Sequence, residues 1–491
     1  MNSTHPNESS THARVIEHEA PARGESYAVR LSSAGVDESR RVDVVGAVGP
    51  ASISRDTSSA PHRSLRSNVV VLAFANVAYG ACQWLIMVAL ARTCSVDEVG
   101  RFARGLAVCG PIMMCTGLQL RTLLATDAAH DFRLVDYLRA RLVMLAVSAA
   151  AVLGICYFVR YSRVDTMVIL LVTAVKAVEG VGNLVYGYFQ RAENIQRIAR
   201  SMLMKGPAMI GGAVVGGMAT HTAVGAVWGL LAGISLLTLA YDLPTCLQLV
   251  RRSTAQTRSA VEGMSNSRRR WGPVQRLIRR GLPLGGVVGL NSFNINVPRY
   301  FVDSLLGASP LGVFAGLSSL MRIGSYLELA LVQSTQSRLA KLYRDGNRQG
   351  FVRLLGKSLA LAAGISGLLI VGSIFLGKWV LELAYGTAYA EHAPVLVVLM
   401  VGGLIGQLAG VMKGASDAAQ NYRQQIPIFA CSLGVTVLCG AILVPRWGLI
   451  GAATSVVALK LSLLVGYVLL LRSAMRNALA TARTPVAKAG A

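Results

Sequence analysis

Paired cysteines are the first feature that this sequence lacks. It contains eight cysteines, six of them inside apolar runs, and no spacing suggests a disulfide framework or a metal site. Nor does it contain a nucleophile elbow, a phosphate-cradling glycine loop or an acidic pair in a metal-binding context. We therefore expect no metal cofactor and no enzymatic activity.

Acidic residues are also scarce, with 24 Asp and Glu against 48 Lys and Arg, which gives a net charge of +24. In a soluble protein this balance would suggest nucleic acid as a partner. Here the basic residues collect at the ends of apolar runs. We expect them to set membrane orientation, and we expect no nucleic-acid binding.

Long apolar runs dominate the chain after residue 66. Because a bilayer core about 30 Å thick takes roughly 20 residues of helix, these runs predict an all-α polytopic membrane protein with twelve transmembrane helices. The predicted helices cover residues 67–91, 101–121, 141–159, 164–190, 201–219, 223–249, 281–306, 311–338, 357–376, 392–413, 425–445 and 447–471.

The Lys and Arg residues predict which side of the membrane each loop faces. One set of alternating loops and helix ends holds 29 of them and the other set holds 7. Excess basic residues mark the cytoplasmic side, so both termini are predicted to be cytoplasmic. The richer set comprises 121–141, 191–205, 251–280, 338–357, 413–423 and the tail after 471.

The chain is predicted to divide into two lobes of six helices. The turn Val99–Leu106 after helix one echoes Leu311–Leu317 after helix seven, and Val224–Ala226 echoes Ile450–Ala452. These echoes fall at equivalent places in the two halves, a layout common in secondary transporters. The predicted parts are a disordered cytoplasmic tail (1–66), an N-lobe (67–249), a basic cytoplasmic linker (250–280), a C-lobe (281–475) and a cytoplasmic tail (476–491). The linker is also expected to contact anionic membrane lipids.

Charged residues near the middle of a span are the candidates for function, because a charge there is costly unless it faces water or a partner. Lys176, Arg322 and Lys460 lie at mid-depth, and Glu179 and Glu328 are the acids at similar depth. Three cations against two carboxylates predict a positive interior.

Polar residues recur on one face of the predicted helices four, seven and eight, which in an apolar span predicts a hydrophilic interior. The resulting set of candidate substrate-path residues is Lys176, Glu179, Asn183, Asn291, Asn296, Arg299, Asp303, Arg322 and Lys460.

Structural roles compete with each of these assignments. Lys176 with Glu179, and Arg299 with Asp303, are spaced to neutralise each other along one helix. Lys460 could donate a hydrogen bond between helices. Arg104 lies near a helix end, where its side chain is expected to extend to the membrane interface.

One family resemblance narrows the substrate. The segment 281–343 resembles helices seven and eight of Wzx-type polysaccharide repeat-unit flippases of the multidrug/oligosaccharidyl-lipid/polysaccharide (MOP) exporter superfamily. Its most specific part is Pro298-Arg299-Tyr300, Gly307 and Leu311-Gly312. The stretches 117–127 and 385–390 are also similar, and the resemblance covers about residues 67–475.

The resemblance implies two six-helix lobes that form a V around a cationic cleft, as in MATE-like transporters. It also implies translocation of undecaprenyl-pyrophosphate-linked oligosaccharide across the bacterial inner membrane by alternating access, for surface or exopolysaccharide biosynthesis. A polysaccharide polymerase and a chain-length regulator are implied as partners. Coupling to a proton or sodium gradient stays open, and no cofactor is expected.

Two related functions remain as alternatives. A cation-coupled drug antiporter of the same superfamily would need a membrane carboxylate in its first lobe, yet the predicted first helix carries no charged residue. A flippase for the peptidoglycan lipid precursor is chemically closer, and the sequence separates it only weakly. A membrane glycosyltransferase, ligase or polymerase is disfavoured by the short outer loops.

Overall fold

The described part of the chain is helical throughout. The computed structural model describes residues 65–127, 131–258, 271–419 and 424–483, so nearly all of the predicted tail 1–66 lies outside it. The helices are α1 Leu65–Thr93, α2 Val96–Thr116, α3 Leu120–Thr126, α4 Leu134–Val159, α5 Arg163–Arg191, α6 Ile195–Thr220, α7 Ala223–Leu237, α8 Leu243–Arg258, α9 Gly272–Leu306, α10 Ala308–Arg344, α11 Arg348–Tyr385, α12 Thr387–Ala390, α13 Ala393–Ala418 and α14 Gln425–Arg483.

A helix occupies each of the twelve predicted segments. The predicted sixth helix is α7 and α8 joined by a π-helical turn, Thr238–Asp242. The predicted eleventh and twelfth helices are the two parts of α14, which is broken at Gly448, where φ is 55°. Glycine tolerates this left-handed conformation because it has no Cβ. The predicted division between residues 445 and 447 therefore lies within two residues of the observed break.

Nine helical spans in the described ranges are long and apolar enough to cross a membrane. The ninth, Gln425–Arg476, contains both parts of α14. Helices α9 and α10 are not among the nine, and they carry the Asn, Ser and Arg residues assigned above to a polar interior. The full count of twelve crossings stays a prediction.

Large apolar side chains cover the outside of the molecule. Phe158 and Phe375 are more than four-fifths exposed, and Leu368 is 73% exposed. A water-soluble protein rarely exposes so much apolar surface. Together with the apolar spans, this surface identifies a multi-pass membrane protein.

Small residues bring neighbouring helices into backbone contact. A Cβ added to Gly212 would overlap the backbone of Gly229, and one added to Gly216 would overlap that of Gly225. Packing of this kind is typical of membrane helices, since lipid provides no hydrophobic drive for their association. It joins α6 to α7 within the first half of the chain.

The internal echo in the sequence corresponds to a contact between the two halves. A Cβ on Gly100 of α2 would overlap the backbone of Ala308, and one on Gly312 of α10 would overlap that of Val96. The two echoed segments are helical, near the starts of α2 and α10, and they pack against each other. We call α1 to α8 the N-lobe and α9 to α14 the C-lobe. The end where α2 and α10 begin, which is the predicted periplasmic end, we call the outer end.

The predicted orientation leads to a labelling experiment in a cysteine-free background. Ser162, at the start of α5, and Asp345, after α10, are both exposed and lie at opposite predicted sides. Because basic residues favour the cytoplasmic side, we expect Ser162→Cys to react with an impermeant thiol reagent added to intact cells. Asp345→Cys should react only after permeabilisation. The reverse pattern would contradict the orientation.

Candidate functional site

Three of the predicted cations meet where the lobes face each other. Lys176 of α5 and Arg322 of α10 line the same small cavity, together with Gln83 of α1 and several apolar residues. Arg322 is also close enough to Arg299 of α9 for mutual charge repulsion. We call Lys176, Arg299 and Arg322 the cation cluster. They come from three helices of two lobes, and together with Glu179 they carry a formal charge of +2.

Arg299 is held by neutral groups. Its guanidinium donates hydrogen bonds to Oδ1 of Asn296 at 3.0 Å and to Oγ of Ser318 at 3.2 Å. Asn296 is oriented in turn by a 2.8 Å bond to the Ser292 carbonyl. These bonds fix the position of the guanidinium without neutralising it, so its charge contributes to the positive potential of the cleft.

Lys176 and Glu179 form the pair that their spacing predicts. The Lys176 ammonium lies 2.7 Å from Glu179, and the two side chains are 30% and 21% exposed. Tyr79 of α1 also donates to Glu179 at 3.3 Å. The pair is therefore accessible from the cleft. A role in the substrate path stays a prediction for both residues.

Asp303 has a different partner from the one that its helix offers. Its carboxylate receives two parallel bonds from Arg104 of α2, at 2.8 Å from Nε and 2.6 Å from Nη2. Arg104 also lies 2.8 Å from Asp165 at the start of α5. The structure therefore shows Asp303 joined to the other lobe instead of to Arg299. The expectation that Arg104 extends to the membrane interface was wrong.

Further contacts close the outer end. Arg92 donates to the carbonyl oxygens at the end of α11, at 2.9 Å from Glu382 and 3.2 Å from Ala384. Trp84 of α1 donates to the Tyr385 hydroxyl at 2.8 Å. Together with Arg104 and Asp303, these residues form what we call the outer seal. Its bonds all cross between the lobes, so the lobes cannot separate here without breaking them.

The remaining predicted residues lie elsewhere along the lobes. Asn183 lines a second and larger cavity beside Lys176, and Asn291 is half-buried on α9. Lys460 of α14 packs against Gly406 of α13 and lies near Glu328 of α10, and it lines neither cavity. It therefore belongs to a separate cluster within the C-lobe.

A buried ion pair in the N-lobe was missed by the sequence analysis. Lys205 of α6 pairs with Asp242 in the π-helical turn, and their side chains are 4% and 0% exposed. Asp242 also accepts a 2.6 Å bond from Ser201, which bonds to Tyr186 at 2.6 Å. Lys205 was counted at the cytoplasmic end of predicted helix 201–219, but α6 begins six residues earlier, at Ile195. Removing one partner of such a pair typically costs about 3–5 kcal/mol.

Two cavities adjoin the cation cluster, one where the lobes meet and one within the N-lobe. The one shared by Lys176 and Arg322 has a volume of about 50 Å³, room for one or two water molecules. The larger one has a volume of about 280 Å³ and also reaches Lys176. A sugar would not fit the smaller cavity, so the lobes must separate further to admit a large substrate there.

Known proteins with related sequences and structures are membrane transport and polysaccharide biosynthesis proteins. The chain matches no family model. It is 22% identical over 408 residues to the capsular polysaccharide biosynthesis protein CapF of Staphylococcus aureus, covering 80% of this chain and 96% of that protein.

Solved structures show the same architecture. An inward-facing multidrug resistance MATE transporter of the MOP superfamily superposes with a TM-score of 0.61 at 12% identity, over 84% of this chain and 96% of the other. The lipid II flippase MurJ, in an inward closed conformation, superposes with a TM-score of 0.61 at 13% identity, over 84% and 91%. The chain therefore has the all-α fold of MOP-superfamily transporters, and it resembles transporters and flippases in architecture.

Proposed function

We propose that this protein is a Wzx-type flippase. It would move undecaprenyl-pyrophosphate-linked oligosaccharide from the cytoplasmic to the periplasmic leaflet of the bacterial inner membrane. The observation that carries the proposal is the positive charge of Lys176, Arg299 and Arg322 where the lobes meet. Pyrophosphate is strongly attracted by guanidinium groups, whose paired donors match its oxygens.

The polar groups of the cleft suit the rest of such a substrate. Amide and hydroxyl side chains beside the cation cluster, such as Gln83 of α1 and Ser318 of α10, are suited to hydrogen bonding with sugars. The polyprenyl tail would stay in the bilayer outside. The relation to a capsular polysaccharide biosynthesis protein favours this substrate class over the peptidoglycan precursor. An excess of cations in the cleft disfavours an organic cation, the substrate that a drug antiporter would carry.

Alternating access gives the outer seal a role in this mechanism. The lobes are joined at the outer end by Arg104 with Asp303 and by Arg92 with the end of α11. Release on the periplasmic side would require these bonds to open while the opposite end closes. A polysaccharide polymerase and a chain-length regulator would act on the exported unit. Neither the coupling ion nor a cofactor is assigned.

Deletion of the gene tests the proposed function directly. We expect lipid-linked oligosaccharide to accumulate in the cytoplasmic leaflet while its synthesis continues, because assembly precedes translocation. Lipid extraction after labelling with an impermeant reagent would measure the distribution between leaflets. The wild-type gene supplied in trans should restore it. Unchanged lipid-linked intermediates with intact surface polysaccharide would contradict the proposal, and a selective gain in drug sensitivity would favour the antiporter.

A further inference from the structure

The larger cavity lies at the opposite end of the N-lobe from the outer seal. It is bounded by the end of α2, the start of α3 and the middle of α5, and Arg141 enters it from α4. Its charged lining residues are Arg121, Arg141, Lys176 and Glu179, with a formal charge of +2. Neither arginine was among the predicted site residues, because the sequence placed both at the cytoplasmic ends of predicted helices.

Arg141 is buried in a slot made by two glycines. The residue is 6% exposed. A Cβ at Gly180 of α5 would overlap Nη2 of Arg141, and one at Gly117 would lie 3.5 Å from Nη1. Because glycine has no side chain at these two positions, the guanidinium of Arg141 can extend from α4 into the cavity. The slot fixes the position of the guanidinium by shape.

The charge of Arg141 is not balanced within the described residues. Its Nε is buried there without a hydrogen-bond partner, and no acidic side chain lies within salt-bridge distance in the described part of the chain. A buried charge without a partner is costly. An anion in the cavity would supply the missing partner and offset that cost.

Arg121 provides a second guanidinium at the same cavity. It is half-buried, lies over the ring of Tyr186 at 5.6 Å, and makes no ion pair in the ranges that the structure describes. Two guanidiniums present paired donors to two phosphate groups. The cavity, at about 280 Å³, is near the lower limit of ligand pockets, roughly 300 Å³. It therefore suits a small anionic group better than a whole oligosaccharide.

We propose that Arg121 and Arg141 form an entry site that binds the pyrophosphate group of the lipid-linked substrate before that group reaches the cation cluster between the lobes. Lys176 lines both cavities and so connects the two sites. The pyrophosphate would pass from Arg121 and Arg141 to Lys176, and then to Arg322. The identity of the anion rests on the proposed function. The phosphate of an anionic phospholipid headgroup has the same chemistry, and the experiment separates the two.

Binding to the purified full-length protein in nanodiscs of zwitterionic lipid tests this site. The probe is undecaprenyl pyrophosphate, with phosphatidylglycerol as the competitor. We expect Arg141→Met and Arg121→Gln each to weaken probe binding about tenfold or more, since each removes charge-assisted hydrogen bonds. Arg139→Met is the matched control, because Arg139 lies on the same helix and lines neither cavity. It should bind like the wild type.

The binding results separate the entry site from the proposed function and from phospholipid binding. Loss of binding in both variants, with normal binding by the control, supports the entry site. If Arg141→Met does not fold, Arg121→Gln gives the result alone. Wild-type binding by folded variants overturns the entry site and leaves the proposed function standing. Absence of probe binding to the wild-type protein overturns the proposed function itself. Displacement of the probe by equimolar phosphatidylglycerol overturns the assignment to pyrophosphate.

Discussion

Replacing Arg322 by Ala is expected to reduce polysaccharide export about tenfold to a hundredfold. Arg322 lines the cavity between the lobes together with Lys176 and lies near Arg299, so its charge adds to the field that attracts a pyrophosphate group. Hydrogen bonds to charged groups contribute about 1.5–3 kcal/mol, which corresponds to such a factor. Arg322→Lys should restore part of the export, because lysine keeps the charge but loses the paired donors.

The measurement is complementation of surface polysaccharide in a deletion strain, normalised to the amount of protein in the membrane. Arg338→Ala is the matched control, since Arg338 is exposed on the same helix and lines neither cavity. It should export normally. Normal export by Arg322→Ala at normal abundance would contradict the role of Arg322. If Arg322→Ala is poorly expressed, Arg322→Lys supplies the comparison at matched abundance.

Replacing Asp303 by Asn is expected to open the outer end. The carboxylate of Asp303 forms two bonds to Arg104 across the lobes, and both side chains are mostly buried. An amide cannot supply the charge or accept both bonds equally, so the closed state should lose about 2–3 kcal/mol. A loss of that size shifts the equilibrium between closed and open outer ends roughly 30- to 150-fold.

A cysteine at Leu106 reports this opening. Leu106 lies on α2 and lines the smaller cavity, behind the outer seal. In a cysteine-free background, Asp303→Asn should raise the rate at which an impermeant thiol reagent, added from outside, modifies Leu106→Cys at least tenfold. Asp97→Asn is the control, because Asp97 is an exposed acid at the same end of α2. Equal rates in Asp303→Asn and the parent would show that the seal does not hold the lobes together.

The outer seal also explains why the partner predicted for Asp303 from the sequence differs from its partner in the structure. Asp303 follows Arg299 by four positions, which is ideal for a pair along one helix. The structure instead brings Arg104 to Asp303 from 199 residues away. Arg299 donates its hydrogen bonds to Asn296 and Ser318 instead. Spacing along a helix identified a compatible partner, but it could not exclude a better one on another helix.

Arg141 and Lys205 show a second kind of limit. Both were predicted to lie at the cytoplasmic ends of their helices, because basic residues usually collect there. In the structure, α4 and α6 begin earlier than their apolar runs. Lys205 is neutralised by Asp242, and Arg141 enters the slot beside Gly117 and Gly180. In each case a glycine on another helix leaves room for the basic side chain. Only the fold shows which glycine that is.

The sequence by itself determined the helices, the membrane character and the Lys176–Glu179 pair, which lies within a single helix. A span must be helical because its backbone polar groups find no water in lipid. Its apolar run must be roughly 20 residues long because the bilayer core is about 30 Å thick, so length and position can be read directly. Lys176 and Glu179 are three residues apart, and local geometry brings them together. Tertiary structure decided the outer seal, the Lys205–Asp242 pair and the two-arginine cavity. Each depends on helices that approach from distant parts of the chain, at distances set by backbone contacts such as that between Gly100 and Ala308.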